Sequence, residues 1–421
     1  MDTCADAVVA PEALVDETVT GFHQDRLSRA GTDYDRGSLY TLALGTFAVG
    51  TEGFMIAAIL PSIADSLKTS IQATGQLVTI FALAYAVSSP LLTALTAAWP
   101  RRRLLILSLA GFVVANLIAA AAPGFWSLAA ARVLLAFTAG LYVPNANAVA
   151  SALAPAAYRG RALAIVNGGI TVAVALGVPM GAFIGAHFGW RATFLGVAAL
   201  SSFAALILAI RLPREFAAGA PAGVMARLAV IAAPGVFPTL VTTTLWATAA
   251  YAVYTYVAPF LNAAAGLSIE DAGLVLMLLG VCAVGGVSLG GHVNDRYGTR
   301  RAQAIAMPVS AASFAGLTVV ALLWAPHAFV PVLFLVALWG LSAWGFFPPQ
   351  QARLVGVAGP AHTSVVLSLN ASFMYLGFSL GAVLGSVVIL LTSVAWIGVA
   401  GAACMVCAIA ASTFAWRRSR A

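Results

Sequence analysis

The chain has 421 residues, of which 62% are hydrophobic and only 8% charged, with a net charge of +7 and a mean hydropathy of +0.97. A soluble domain carries roughly 25% charged residues. This chain has too little polar surface to stay dispersed in water, which excludes a soluble globular protein and makes lipid the solvent for most of it.

In chain order, residues 1–38 hold eight of the 14 acidic residues and lack the basic-then-apolar order of a signal peptide, so a flexible cytoplasmic tail is expected. Apolar runs long enough to cross ~30 Å of hydrocarbon, about 20 residues each, then follow. They lie at 39–61, 74–97, 104–122, 127–151, 162–186, 192–212, 235–261, 272–292, 302–324, 329–352, 363–389 and 392–416. The expected fold is therefore all-α and integral to the membrane, with twelve transmembrane helices. The first six form one predicted bundle (39–212) and the last six another (235–416). The Gly-, Pro- and Arg-rich connector 213–234 reads as a cytoplasmic linker, and 417–421 as a basic tail.

Of the 21 Lys and Arg, 18 are assigned to one set of connections, among them Arg101 to Arg103, Arg159, Arg161, Arg296 to Arg301 and Arg353. Only Lys68 and Arg191 fall on the other side, and Arg132 lies inside a run. Basic loops stay in the cytoplasm, so both termini are expected there, in a cell inner membrane. The basic balance is then explained without nucleic acid. Cys4, Cys282, Cys404 and Cys407 make no disulfide framework, and "CMVC" sits in an apolar run as small hydrophobes. His187, His292, His327 and His362 lie near run ends, where interfacial polarity accounts for them. No zinc-protease or phosphate-loop motif occurs on an aqueous segment, so an enzyme or ATP-driven pump is not expected, nor any cofactor or metal.

The two halves repeat each other at about 200 residues. "LPSIADSLKTSIQATG" (60–75) matches "APFLNAAAGLSIEDAG" (258–273), with a Pro closing a run and a Gly 14 positions later. "GVPMGAFIG" (177–185) matches "GFSLGAVLG" (377–385), and "YVPNANA" (142–148) matches "FFPPQQA" (346–352). Tandem six-helix halves are an arrangement of transporters whose solute site lies between the bundles near the bilayer midplane. A receptor or scaffold that moves nothing is the alternative from another class.

Glu52 and Arg132 are the clearest ionisable residues deep in runs. Counted from the run ends, Glu52 lies about 13 Å and Arg132 about 8 Å below the same face, so an Arg arm can span the difference. Paired, the two are cheaper to bury than apart. Glu52 is in a static tie between the first and fourth helices, or it is a proton carrier, because burial and a guanidinium pull a carboxyl's proton affinity in opposite directions, or it faces lipid or a cavity with no partner. The second half has Ala250 where Glu52 would fall. Candidate solute contacts are polar or aromatic residues deep in both halves: Asn145, Asn147, Asn167, Trp246, Tyr251, Tyr254, Gln350, Asn370 and Tyr375. One central carboxylate argues for a neutral, amphipathic small molecule. Gly177, Pro179 and Gly181 put a close-packed, kinkable face on the fifth helix, which suits a moving seam, and Gly185, Gly377, Gly381 and Gly385 extend the pattern. Asp295 among Arg296, Arg300 and Arg301 can form a charged latch.

These motifs resemble the major facilitator superfamily, specifically its twelve-span drug:proton antiporter branch, over about residues 39–416. "GHVNDRYGTRR" is similar to the family's loop motif, "ARVLLAFTAG" (131–140) to its fourth-helix motif with a buried Arg, "ALGVPMGAFIG" (175–185) to the fifth-helix motif of exporters, and "GTEGFMIAAILPSIADSL" (50–67) to a first-helix motif of the branch. "WPRRR" and "FGWRATF" (188–194) are similar to bacterial exporters of chloramphenicol, sugars and nucleosides. The first-half loop lacks the family's Asp, and the fifth helix has Gly-Val-Pro for Gly-Pro. The resemblance implies two pseudo-symmetric six-helix bundles and proton-coupled efflux of small organic molecules such as drugs, by alternating access, in a monomer powered by the proton gradient. A sugar, nucleoside or other metabolite carrier is the alternative within the same fold.

Overall fold

The computed structural model of the chain describes residues 36–155, 158–213, 229–359 and 362–418. Among them, 12 helices are long and apolar enough to cross a membrane, matching the expected number. The first six are α1 (Arg36–Leu67), α2 (Ile71–Leu95), α3 (Arg101–Ala120), α4 (Phe125–Leu153), α5 (Arg159–Phe188) and α6 (Trp190–Arg211). The second six are α7 (Val236–Tyr254), α8 (Ile269–Tyr297), α9 (Thr299–Trp324), α10 (Phe329–Ala358), α11 (Thr363–Leu391) and α12 (Ile397–Arg418). Nearly all of the N-terminal tail, most of the linker and the last three residues lie outside the described residues. An even number of spans brings α1 in and α12 out on one side, here the terminal side; the other is the distal side.

Three spans are interrupted, each about one turn before a proline. α5 widens into a π turn over Ala173–Gly177 ahead of Pro179. α7 stops at Tyr254 and resumes as a short helix, Val257–Ala265, that contains Pro259. α10 breaks at Phe346, before Pro348 and Pro349. Proline has no N–H, so the carbonyl four residues earlier loses its helical partner and the backbone rearranges there. Pro61, expected to close the first span, instead lies inside α1, which runs on to Leu67. The residues after it, up to the left-handed Lys68 (φ 52°), are compatible with helix.

The packing repeats as the sequence does. α1 lies on α5 as α7 lies on α11, α2 on α4 as α8 on α10, and α3 on α6 as α9 on α12. The repeated Ser-Ile pair caps a helix in each half. Ser70 Oγ accepts the Ala73 N–H at 3.1 Å, and Ser268 Oγ accepts the Asp271 N–H at 3.1 Å. The repeated glycine that follows marks a contact between the bundles: Gly75 faces the Tyr256 ring, and a Cβ on Gly273 would lie 2.8 Å from that of Ala182. With Ser386 Oγ donating to the Gln72 carbonyl at 3.4 Å, these contacts join the bundles on the distal side.

Between helices in lipid, burial of apolar surface gives little net drive, so close backbone approach has to supply the attraction. The glycine ladders do this, but within each bundle. Gly177 meets Thr51, Gly181 meets Met55 and Gly185 meets Ile59, all on α1. Gly377, Gly381 and Gly385 meet α7 in the same way. The expectation that this glycine face forms the moving seam is therefore corrected. The seam to the other bundle uses the neighbouring face of α5, where Ala175 lies against Gly280 and Pro179 and Ala182 lie near Gly273. A Cβ on Gly381 would fall 2.6 Å from the Thr248 carbonyl oxygen and 2.9 Å from the Ala252 nitrogen, neither of which can rotate away. Gly381→Ala is expected to destabilise the protein by roughly 1–3 kcal/mol. Gly168→Ala, whose Cβ would meet nothing within 4 Å, should be neutral or slightly stabilising. Thermal unfolding in detergent distinguishes the two.

Candidate functional site

Glu52 and Arg132 are brought together at full burial, both 0% exposed. Arg132 Nη1 donates to Glu52 Oε1, and its Nε donates to the Leu77 carbonyl at 3.3 Å. Its guanidinium carbon sits 4.2 Å over the Phe81 ring. Three helices thus hold one cation: α1 by charge, α2 by a carbonyl and a ring, and α4 by carrying it. Glu52 Oε2 and Arg132 Nη2 have no hydrogen-bond partner among the described residues. The pair is single-pronged where a carboxylate and a guanidinium could make two parallel bonds, which leaves one acceptor and one donor unmet.

A small cavity of about 10 Å³, room for about one water, lies beside the pair. Gly53, Phe54, Val78, Phe81 and Ala82 line it from the first bundle, and Tyr251, Tyr375 and Phe378 from the second. Phe54 packs edge-on against Tyr254 at 5.9 Å and near Tyr251 and Trp344 at 6.3 Å each. Tyr254 Oη donates to the Phe54 carbonyl at 3.1 Å, tying α7 to α1. Of the candidate solute contacts, Tyr251 and Tyr375 line this cavity and Tyr254 lies against Phe54. Phe54, Phe81, Tyr85 and Phe378 are the residues that sequence reasoning missed. Their common mark is an aromatic ring within one turn of a chosen residue or on the facing helix, and such rings are too frequent in apolar runs to stand out.

The remaining candidates are placed elsewhere. Trp246 is buried against Phe346, with ring centroids 5.2 Å apart. Gln350 donates to the Thr239 carbonyl at 2.7 Å and to Thr243 Oγ1 at 2.8 Å, and accepts from Gln303 at 2.7 Å. Asn370 accepts from Thr243 at 2.7 Å. These two serve a polar network inside the second bundle. Asn145 accepts from Arg101 Nη1 at 2.7 Å and ties α3 to α4. Asn147 and Asn167 bond each other at 3.1 and 3.3 Å, and Asn167 is exposed.

Arg353, counted among the loop arginines, is instead a buried residue of α10. It reaches Ser412 Oγ at 3.1 Å and lies 4.3 Å over the Trp416 ring, because α10 runs past the expected end to Ala358. The charged latch is not formed: Asp295, Arg296, Arg300 and Arg301 are exposed, and Asp295 accepts only from the Asn294 side chain, at 3.3 Å, among the described residues.

Removing one partner of a buried pair leaves an uncompensated charge, which typically costs 3–5 kcal/mol. Arg132→Met should therefore lower thermal stability by about that much. Adding Glu52→Gln to it should recover most of the loss, since the remaining side chain is then neutral; melting temperatures of the single and double variants check this.

The Major Facilitator Superfamily profile matches residues 42–382. The chain is 33% identical to the uncharacterized MFS-type transporter YbcL of Bacillus subtilis, over 86% of this chain and 92% of that one. It is 33% identical to the inner membrane transport protein YdhP of Escherichia coli, over 83% and 88%. It is also 35% identical to a chloramphenicol resistance protein of Streptomyces lividans, over 64% and 69%. A crystal structure of a bacterial homologue of the human lysosomal transporter Spinster superposes with a TM-score of 0.74 at 19% identity, covering 92% of this chain and 98% of that one. The chain belongs to the Major Facilitator Superfamily and is a multi-pass membrane transporter, not an enzyme.

Proposed function

We propose that the protein exports small, neutral or amphipathic organic molecules across the cytoplasmic membrane in exchange for protons. The observation that carries this reading is the fully buried Glu52–Arg132 pair, half-satisfied, with Gly53 next to Glu52 and the Phe81 ring under Arg132 lining a cavity shared by both bundles. A carboxyl there can be neutral or charged only at the expense of its surroundings, so its proton is tied to what else fills the site. The excess of Arg on the terminal side supports a cytoplasmic placement of that side. In the described state the bundles meet at the middle and on the distal side, through Tyr254 and Phe54, Gly75 and Tyr256, and Gln72 and Ser386. The unformed latch at Asp295 on the terminal side accords with a state closed toward the outside.

In the exchange cycle, Glu52 takes a proton from outside when the distal contacts part. Arg132 then keeps its hold on Leu77 and Phe81 but loses its counter-charge, and a bound solute is released. After the bundles rock back, the proton leaves to the cytoplasm, the ion pair re-forms and solute enters beside it. Resemblance to a chloramphenicol resistance protein and the exporter-like fifth helix support the outward direction. Only the first bundle carries the acid, since Ala250 stands at the corresponding position, so the first bundle carries the proton and the second contributes more to the solute.

Glu52→Gln keeps the shape and a hydrogen-bond acceptor for Arg132 but cannot carry a proton. In proteoliposomes it should fold and insert yet lose solute uptake driven by a pH gradient, while solute exchange without a gradient continues. Unimpaired gradient-driven uptake by this variant would sink the proposal.

A further inference from the structure

Tyr85 on α2 and Tyr375 on α11 stack face to face, with ring centroids 3.7 Å apart and planes 17° from parallel. One ring belongs to each bundle, on the α2–α11 seam. α2 runs from the distal side inward and α11 runs outward, and Gln72 and Ser386 pair near the distal ends of the same helices. The tyrosine stack is therefore the contact nearer the terminal side, with the cavity between. Tyr85 is buried, whereas Tyr375 is partly exposed.

Tyr375 lines the cavity, and further rings surround the stack. Phe378 meets Tyr375 edge-on at 5.1 Å and stacks on Tyr251 at 3.6 Å and 17°. Phe81, the ring beneath the Arg132 guanidinium, lies 6.3 Å from Tyr85 and 6.4 Å from Tyr375. The stack and the proton-carrying pair thus share one ring. The cavity itself has room for about one water, so no organic solute fits without displacing something. Among the described residues, Tyr85 and Tyr375 meet each other by ring contact alone, across the joint between the two bundles.

We propose that the transported molecules carry a planar aromatic ring, and that this ring is bound by entering between Tyr85 and Tyr375 in place of their mutual contact. The inference rests on the transport reading above and adds the chemical class of the solute and the residues that select it. A ring at van der Waals spacing from both tyrosines widens their separation to about 7 Å. Each tyrosine then exchanges one stacking partner for another, so the bundles are wedged apart at the seam without exposing either ring. A saturated ring of equal hydrophobicity is thicker and has no π face, and recovers less of the lost stacking.

The test uses two analogues of chloramphenicol, one with a phenyl and one with a cyclohexyl group in place of the nitrophenyl ring, titrated at fixed pH onto the purified protein in nanodiscs. The wild type should bind the aromatic probe about tenfold more tightly. Tyr375→Phe, which keeps the ring, should retain that preference, and Tyr375→Leu and Tyr85→Leu should reduce it to within about threefold. Wild-type protein that binds the two probes equally, or binds neither, overturns the inference, and this arm needs no variant to fold. Undiminished preference in correctly folded Leu variants overturns it as well. Equal binding together with Glu52-dependent uptake would leave the transport reading standing, whereas ring-selective binding without Glu52-dependent uptake would support the inference and defeat that reading.

Discussion

A carboxylate and a guanidinium buried together in a lipid-embedded bundle constrain everything around them. Neither Glu52 nor Arg132 is exposed in this state, so each depends on the other and on whatever α2 supplies. The Leu77 carbonyl and the Phe81 ring are that supply. The requirement fixes α1, α2 and α4 relative to one another at mid-depth, and the first bundle is rigid where its charge lies. It also explains why aromatic rings close over the pair from the second bundle. Rings exclude water over a large area while their faces tolerate a nearby cation, and apart from the Tyr254 hydrogen bond to Phe54 the named ring contacts can part without breaking a hydrogen bond.

Rigidity inside each bundle and slack between them come from different chemistry. Within a bundle, glycine ladders bring α5 to α1 and α11 to α7 at backbone distance, and polar groups such as Gln350 and Asn145 are used up in ties between neighbouring helices. Between bundles, the named contacts are ring faces, single hydrogen bonds and small residues meeting small residues. The prolines add a second kind of slack, since α5, α7 and α10 are each interrupted ahead of one. All three interruptions fall on helices that meet the other bundle or carry the polar network, so local backbone freedom is placed beside the joint.

Much of this was legible residue by residue. Charge inside an apolar run is conspicuous because lipid makes it expensive, and so Glu52 and Arg132 could be picked out and paired from depth alone. The Ser-Ile and glycine repeat was visible as a repeat, but its meaning was not: Ser70 and Ser268 cap helices, while Gly75 and Gly273 face the opposite bundle. The glycine ladders show the converse case. Their four-residue spacing identified one close-packed face, yet spacing carries no information about which helix meets that face. Arg353 falls outside the apolar run because a hydropathy pattern ends where polar residues begin, whereas the helix itself continues and buries Arg353 against Ser412 and Trp416.

The sequence by itself determined the solvent, the number of spans, the two-fold internal repeat and the existence of a buried pair, because each follows from the cost of polar groups in hydrocarbon or from a local backbone rule. Only the tertiary structure decided which aromatic rings surround the pair, which asparagines and glutamines are spent inside a bundle, and that the Asp295 loop stands open. Those are matters of which helix faces which, and in a chain where nearly every face is apolar, hydrophobic periodicity cannot tell one neighbour from another. That choice is made by close packing of small residues and by the geometry of a few polar contacts, which exist only once the helices are assembled.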